Sequence, residues 1–160
     1  MNCRSILRAG AMISFALALL SGNASAQEKT IKQQLVGAWT LSSIYDQGQD
    51  GKKNDPWGPG VKGALMFSPS GRFSFQLVSA DRDKNGSKNP RSPVGPTIGY
   101  FGTYTVDEGA KTFTYHIERC TFPQWDGSDR TATIESVTGD GLKFMSAVVH
   151  DPNLGDIIPH

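Results

Sequence analysis

The chain is short of cysteine: Cys3 and Cys120 are the only two in 160 residues. Cys3 lies in an N-terminal segment that reads as a removable leader, so one thiol remains. A single cysteine cannot cross-link its own chain, and the domain has to stand on its core. Beside Phe122, Cys120 is expected to be buried and inert. Histidine is also scarce: His116, His150 and His160 form no i, i+4 pair and have no cysteine partner, which excludes a His/Cys metal site of ordinary spacing and implies no cofactor. An excess of one charge is missing as well. Without Arg4 and Arg8 the chain carries 14 Lys+Arg against 15 Asp+Glu, which removes the electrostatic case for nucleic acid or anionic membrane as a partner. No internal repeat or low-complexity block is present, and no helix-length periodic segment follows the leader.

The one long apolar run, Ala11 to Leu20, is too short to span a bilayer. Arg4 and Arg8 precede it, and the small-residue pattern Ala24-Ser25-Ala26 follows it. This is the layout of a signal peptide over residues 1–26, cleaved after Ala26. Asn23 stands where a lipid-anchored product would need cysteine, so no membrane anchor is expected after cleavage. The expected product is a periplasmic or secreted chain of 134 residues, Gln27 to His160, the size of one domain.

What the mature chain has in abundance is period-two patterning. After a polar lead-in over residues 27–34, which reads as a tail or a single helical turn, strands are expected at Val36–Tyr45, Lys62–Phe67, Arg72–Ser79, Thr97–Val106, Thr112–Arg119, Asp129–Val137 and Leu142–Val149. Turn signals separate them: Ser68-Pro69-Ser70-Gly71, Asp107-Glu108-Gly109 and Gly139-Asp140-Gly141. The Asp81–Pro96 connection is long, basic and proline-containing, and is expected to be mobile. Seven short consecutive strands predict an all-β antiparallel meander, residues 35–160, curling into a barrel of about seven to eight strands. The Asn153–His160 tail shows no closing-strand pattern. An edge left open there is expected to allow a homodimer.

Several segments, in order, resemble the lipocalin-like domain family of small calycin-type barrels. They are Leu35-Val36-Gly37-Ala38-Trp39, the run Pro56-x-Gly58 through Ser74, Gly99-Tyr100-Phe101-Gly102-Thr103-Tyr104 with Val106-Asp107, and His116-Ile117-Glu118 followed by Phe122-Pro123-Gln124-Trp125-x-Gly127. The chain departs from the family after the Trp-x-Gly loop, where Arg130 and Ala132 replace a Gln and an Arg. No arginine follows Arg130 to cover Trp39 as a cation–π lid.

The resemblance implies a barrel that holds one small molecule, so the question is which strand faces point inward. Thr112, Thr114, His116 and Glu118 share one face of the fifth strand; Phe113, Tyr115 and Ile117 share the other. Parity alone leaves both orientations open. With the polar set inward, His116 and Glu118 form a candidate acid/base pair; with it outward, they are a solvated surface. Tyr100 and Tyr104 suit a pocket wall with hydroxyl handles, or ordinary core. Phe73 and Phe75 suit core or pocket floor, and Trp57 and Trp125 suit a barrel mouth or plug. Three functions follow. The first is binding of a small apolar or amphipathic ligand by Tyr100, Tyr104, His116, Glu118, Phe73, Phe75 and Trp125. The second is an isomerase, cyclase or hydratase using His116 and Glu118. The third is a structural or interaction protein with a filled barrel. A cavity of about 300 Å³ or more separates the third from the others.

Overall fold

The computed structural model describes residues 28–82, 88–89, 95–151 and 155–160. The segment expected to be a leader and most of the Asp81–Pro96 connection, expected to be mobile, lie outside the described residues. The lead-in is one helical turn, α1 (Ile31–Leu35), opened by a capping box in which Thr30 and Gln33 exchange side-chain-to-backbone bonds. Glu108 also accepts from the Ile31 and Lys32 backbone N–H groups, at 2.8 and 3.0 Å. These bonds hold the turn in place so that Leu35 enters the core fully buried.

The meander forms as the alternation requires. β1 (Gly37–Thr40), β4 (Lys62–Phe67), β5 (Arg72–Val78), β6 (Thr97–Asp107), β7 (Thr112–Cys120), β8 (Asp129–Val137) and β9 (Leu142–Met145) pair in the order β1-β4-β5-β6-β7-β8-β9. All pairings are antiparallel, and the sheet nearly closes into a barrel. The β4–β5 hairpin turns on Gly71, whose φ of +81° is open to glycine at no steric cost. At Gly102 the β6–β7 ladder slips register. A Cβ there would stand 3.0 Å from the Glu118 backbone nitrogen and closer still to the His116 carbonyl oxygen. Gly102 therefore marks a strand bend where two backbones approach.

Both end strands are shorter than the sequence suggests. The first leaves the sheet after Leu41, whose N–H still reaches Gly63 O at 3.0 Å. It resumes as β2 (Asp46–Gly48), beside β3 (Lys53–Asn54). The expected Leu142–Val149 strand likewise breaks into β9 and β10 (Val149–Asp151). The largest correction concerns the tail. Gly155–Pro159 is a strand, β11, lying between β10 and β2. His160 and Tyr45 exchange both backbone bonds at 2.8 and 3.2 Å, and Ser146 N–H donates to Pro159 O at 2.7 Å. The chain's own tail thus occupies the place where an open edge was expected to admit a second copy. Ile157-Ile158-Pro159-His160 is too short and too proline-bounded to announce a strand; its partners at both ends of the meander make it one.

The core settles the parity. Phe113, Tyr115 and Ile117 of β7 are buried, with Leu65, Phe67, Phe73, Tyr104, Ala132 and Ile134 from neighbouring strands. The apolar set faces in.

Candidate functional site

The barrel interior differs between its two ends. Where the β4–β5 and β6–β7 hairpins turn, aromatic rings fill it: Phe67 meets Tyr104 and Phe113 edge-on at 4.7 and 5.3 Å, and Leu35 joins the same cluster. Toward the opposite end the inward side chains part around a cavity of about 510 Å³. Its walls are mostly apolar and include Trp39, Leu65, Phe75, Tyr100, Trp125 and Phe144. The returning segments Leu41–Asp46 and Pro159–His160 close one side, and Trp57 another.

Tyr100 is the centre of the polar chemistry in this space. Its ring stacks on Tyr115 (5.9 Å, 16°) and lies against Phe75 (4.8 Å) and Trp125 (5.9 Å). It sits deep in the fold yet is only half-buried, because it borders the cavity. Burial, followed by the neighbouring Tyr115, pushes its phenol well above the ordinary tyrosine range. Tyr100 is therefore a neutral hydrogen-bonding group at any working pH. Tyr115 shares a 3.1 Å hydrogen bond with Ser146. His160 also lines the cavity. Its side chain is 8% exposed, its ring stacks on Tyr45 (4.8 Å, 9°), and its Nδ1 has no hydrogen-bond partner, with Glu135 Oε1 3.7 Å away.

A second depression of about 560 Å³ opens at the same end. It shares Trp57, Pro96, Ile98, Trp125 and Val149 with the cavity and adds Thr97, Thr121, Phe122, Val148, His150 and Arg130. The Pro123–Trp125 3-10 turn holds Trp125 at this boundary. Arg130 lays its guanidinium over the Trp125 ring, 4.3 Å from the centroid. Cys120 is half-buried, accepts the Phe122 N–H at 3.3 Å, and has its thiol pushed up chiefly by burial. These are the features of an unreactive cysteine.

Of the residues singled out from sequence, Phe75, Tyr100 and Trp125 meet at the cavity. Phe73 and Tyr104 do not line it. Phe73 is core between Tyr100 and Tyr115. Tyr104 is buried in the packed end, where its hydroxyl donates to Ser68 O at 3.0 Å. His116 and Glu118 stand on the outer face, which corrects the cavity-lining and acid/base expectations for this pair. His116 Nδ1 meets Asp129 Oδ1 at 2.7 Å, and Glu118 takes both terminal nitrogens of Arg72. The pair is divided between two different partners, on a face whose alternate residues Phe113, Tyr115 and Ile117 have taken the interior. Trp39 has a partner other than arginine: its Nε1 donates to Leu35 O at 2.8 Å.

Sequence reasoning missed Arg130 and His160. Parity held the signal for the first, since Arg130 goes with Ala132 and Ile134. Nothing local marks His160, which reaches the cavity only because the tail turns back.

A family profile for the lipocalin-like domain matches residues 36–149. Comparison with curated proteins finds no match. The matched span runs from the residue before β1 to the start of β10 and contains the whole seven-stranded meander whose interior forms the cavity; the chain belongs to the lipocalin-like domain family.

Proposed function

We propose that this is an exported lipocalin-like protein that binds a small apolar or amphipathic molecule in the barrel cavity. One observation carries the reading: an interior space of about 510 Å³ with mostly apolar walls, inside the 300–1,000 Å³ range typical of small-molecule sites. A filled barrel offers no such space. Ligand burial would contribute about 25 cal/mol per Å² of apolar surface removed from water, and Tyr100, Ser146 and His160 supply the few polar contacts that fix orientation. The acid/base enzyme reading has no support from His116 and Glu118, which lie outside the barrel.

Native mass spectrometry of protein purified from the periplasm of an expressing bacterium tests this. The expected result is a mass excess of a few hundred daltons that disappears on denaturation, on a chain starting at Gln27. The reading is overturned if the protein is free of bound mass and also fails to take up N-phenyl-1-naphthylamine, a neutral apolar dye. An intact leader on the recovered chain would overturn export alone.

A further inference from the structure

Arg130 belongs to the inward-facing set of β8, with the fully buried Ala132 and the buried Ile134. Such a position normally carries an apolar side chain. The guanidinium there has one face on Trp125, and one terminal nitrogen makes a long 3.4 Å contact to Val148 O. Its Nε is buried with no hydrogen-bond partner. Among the described residues no carboxylate pairs with it. The described acids around the mouth are committed elsewhere. Asp126 accepts the Cys120 N–H at 2.7 Å and lies 3.7 Å from Arg119. Asp156 pairs with His150 at 3.0 Å, and Asp129 pairs with His116 on the outer face. A half-buried cation with an unsatisfied donor and no counter-charge is unfavourable unless an anion completes it. Arg130 borders the mouth depression, and that depression shares Trp57, Pro96, Ile98, Trp125 and Val149 with the apolar cavity.

We propose that the ligand is a carboxylic acid with an apolar body, its carboxylate held at the mouth by Arg130 and its body in the cavity. This rests on the cavity-binding reading above and names the ligand class within it. Arginine suits the task because its planar fork can give two parallel charge-assisted hydrogen bonds to a carboxylate. Trp125 keeps the guanidinium flat against the rim, so little side-chain freedom is lost when the acid arrives.

The test compares three probes of equal tail length, dodecanoate, dodecanol and dodecyltrimethylammonium, as competitors of N-phenyl-1-naphthylamine on the mature protein, its Arg130→Gln variant and its Arg130→Lys variant. The wild type is expected to bind dodecanoate at least tenfold more tightly than dodecanol, about 1.4 kcal/mol, and the ammonium most weakly. Arg130→Gln should bring the acid-to-alcohol affinity ratio down to about one; Arg130→Lys should keep part of the preference. Equal affinity for acid and alcohol in the wild type overturns the proposal and leaves the cavity reading standing. So does a preference that survives in Arg130→Gln. Failure of every probe, dodecanol and the dye included, overturns both. Should Arg130→Gln not fold, the wild-type ranking and the Lys variant still decide.

Discussion

The packed and hollow ends of the barrel are made by the same strands and differ in what those strands carry inward. At the hairpin end, β4, β6 and β7 contribute Phe67, Tyr104 and Phe113, and the preceding turn adds Leu35, so rings meet rings and the space is filled. Toward the other end, the inward positions are Leu65 of β4, Leu77 of β5 and Ile98 and Tyr100 of β6, spread around a wider ring whose last segment is the returning tail. The β4–β5 and β5–β6 ladders run unbroken from one end to the other. Hydrogen bonding therefore does not decide where a barrel is hollow; the size and spacing of inward side chains do. Stability should be concentrated at one end and binding at the other, a division that mutation can break or sharpen.

The largest expected effect is on the packed end. Phe113→Ala removes a ring held by Phe67, Tyr115 and Phe144 and should cost about 3–5 kcal/mol in denaturant unfolding. Phe75→Ala, on the cavity wall, should cost about 1–2 kcal/mol because the truncated ring already had open space on one side. Equal losses would mean the two ends are not energetically distinct. The converse change comes next. Ile98→Trp adds bulk to the wall shared by cavity and mouth, so dye affinity should fall about tenfold, with the thermal midpoint nearly unchanged. A large drop in melting temperature would show that the space is not free to be filled.

A smaller effect belongs to the outer face. Arg72 holds the Glu118 carboxyl below its usual range, chiefly by hydrogen bonding. The folded value is the depressed one, so the pair's stabilisation is present above the ordinary glutamate pKa and is lost as pH falls through the folded value. Both groups are solvent-accessible, which keeps the contribution small. Glu118→Gln should therefore lower stability slightly at neutral pH and make no difference once the pH has fallen below the folded glutamate's depressed value. It should leave ligand affinity untouched at every pH, and any change in binding would reopen the acid/base reading. Smallest of all is Cys120. With its thiol raised by burial, it should react with a disulfide reagent several-fold more slowly in the folded protein than in urea at pH 8. Equal rates would show the Trp125 loop to be open.

Much of the barrel is legible in the sequence because strand periodicity is local. Lys62–Phe67 and Asp129–Val137 appear in the structure with the expected bounds, and β5, β6 and β7 fall within one residue of theirs. Each carries an alternation that needs a buried face and a turn residue where the chain must reverse. The site was legible in part, since Phe75, Tyr100 and Trp125 are large rings on segments that could only face inward or cap an end. His116 and Glu118 misled because adjacency on one strand face looks the same whether that face is wet or buried.

The sequence by itself determined the β class, the strand order along the chain and the face-sharing sets, since all three follow from a two-residue repeat and from turn residues that act within a few positions. Only the tertiary structure decided which set looks inward, that the tail becomes β11, that His160 reaches the cavity, and that Arg130 stands at its mouth with no carboxylate partner among the described residues. Those outcomes depend on what lies across the barrel, tens of residues away in sequence. Burial there is a competition between faces, and a local pattern is the same whichever face wins.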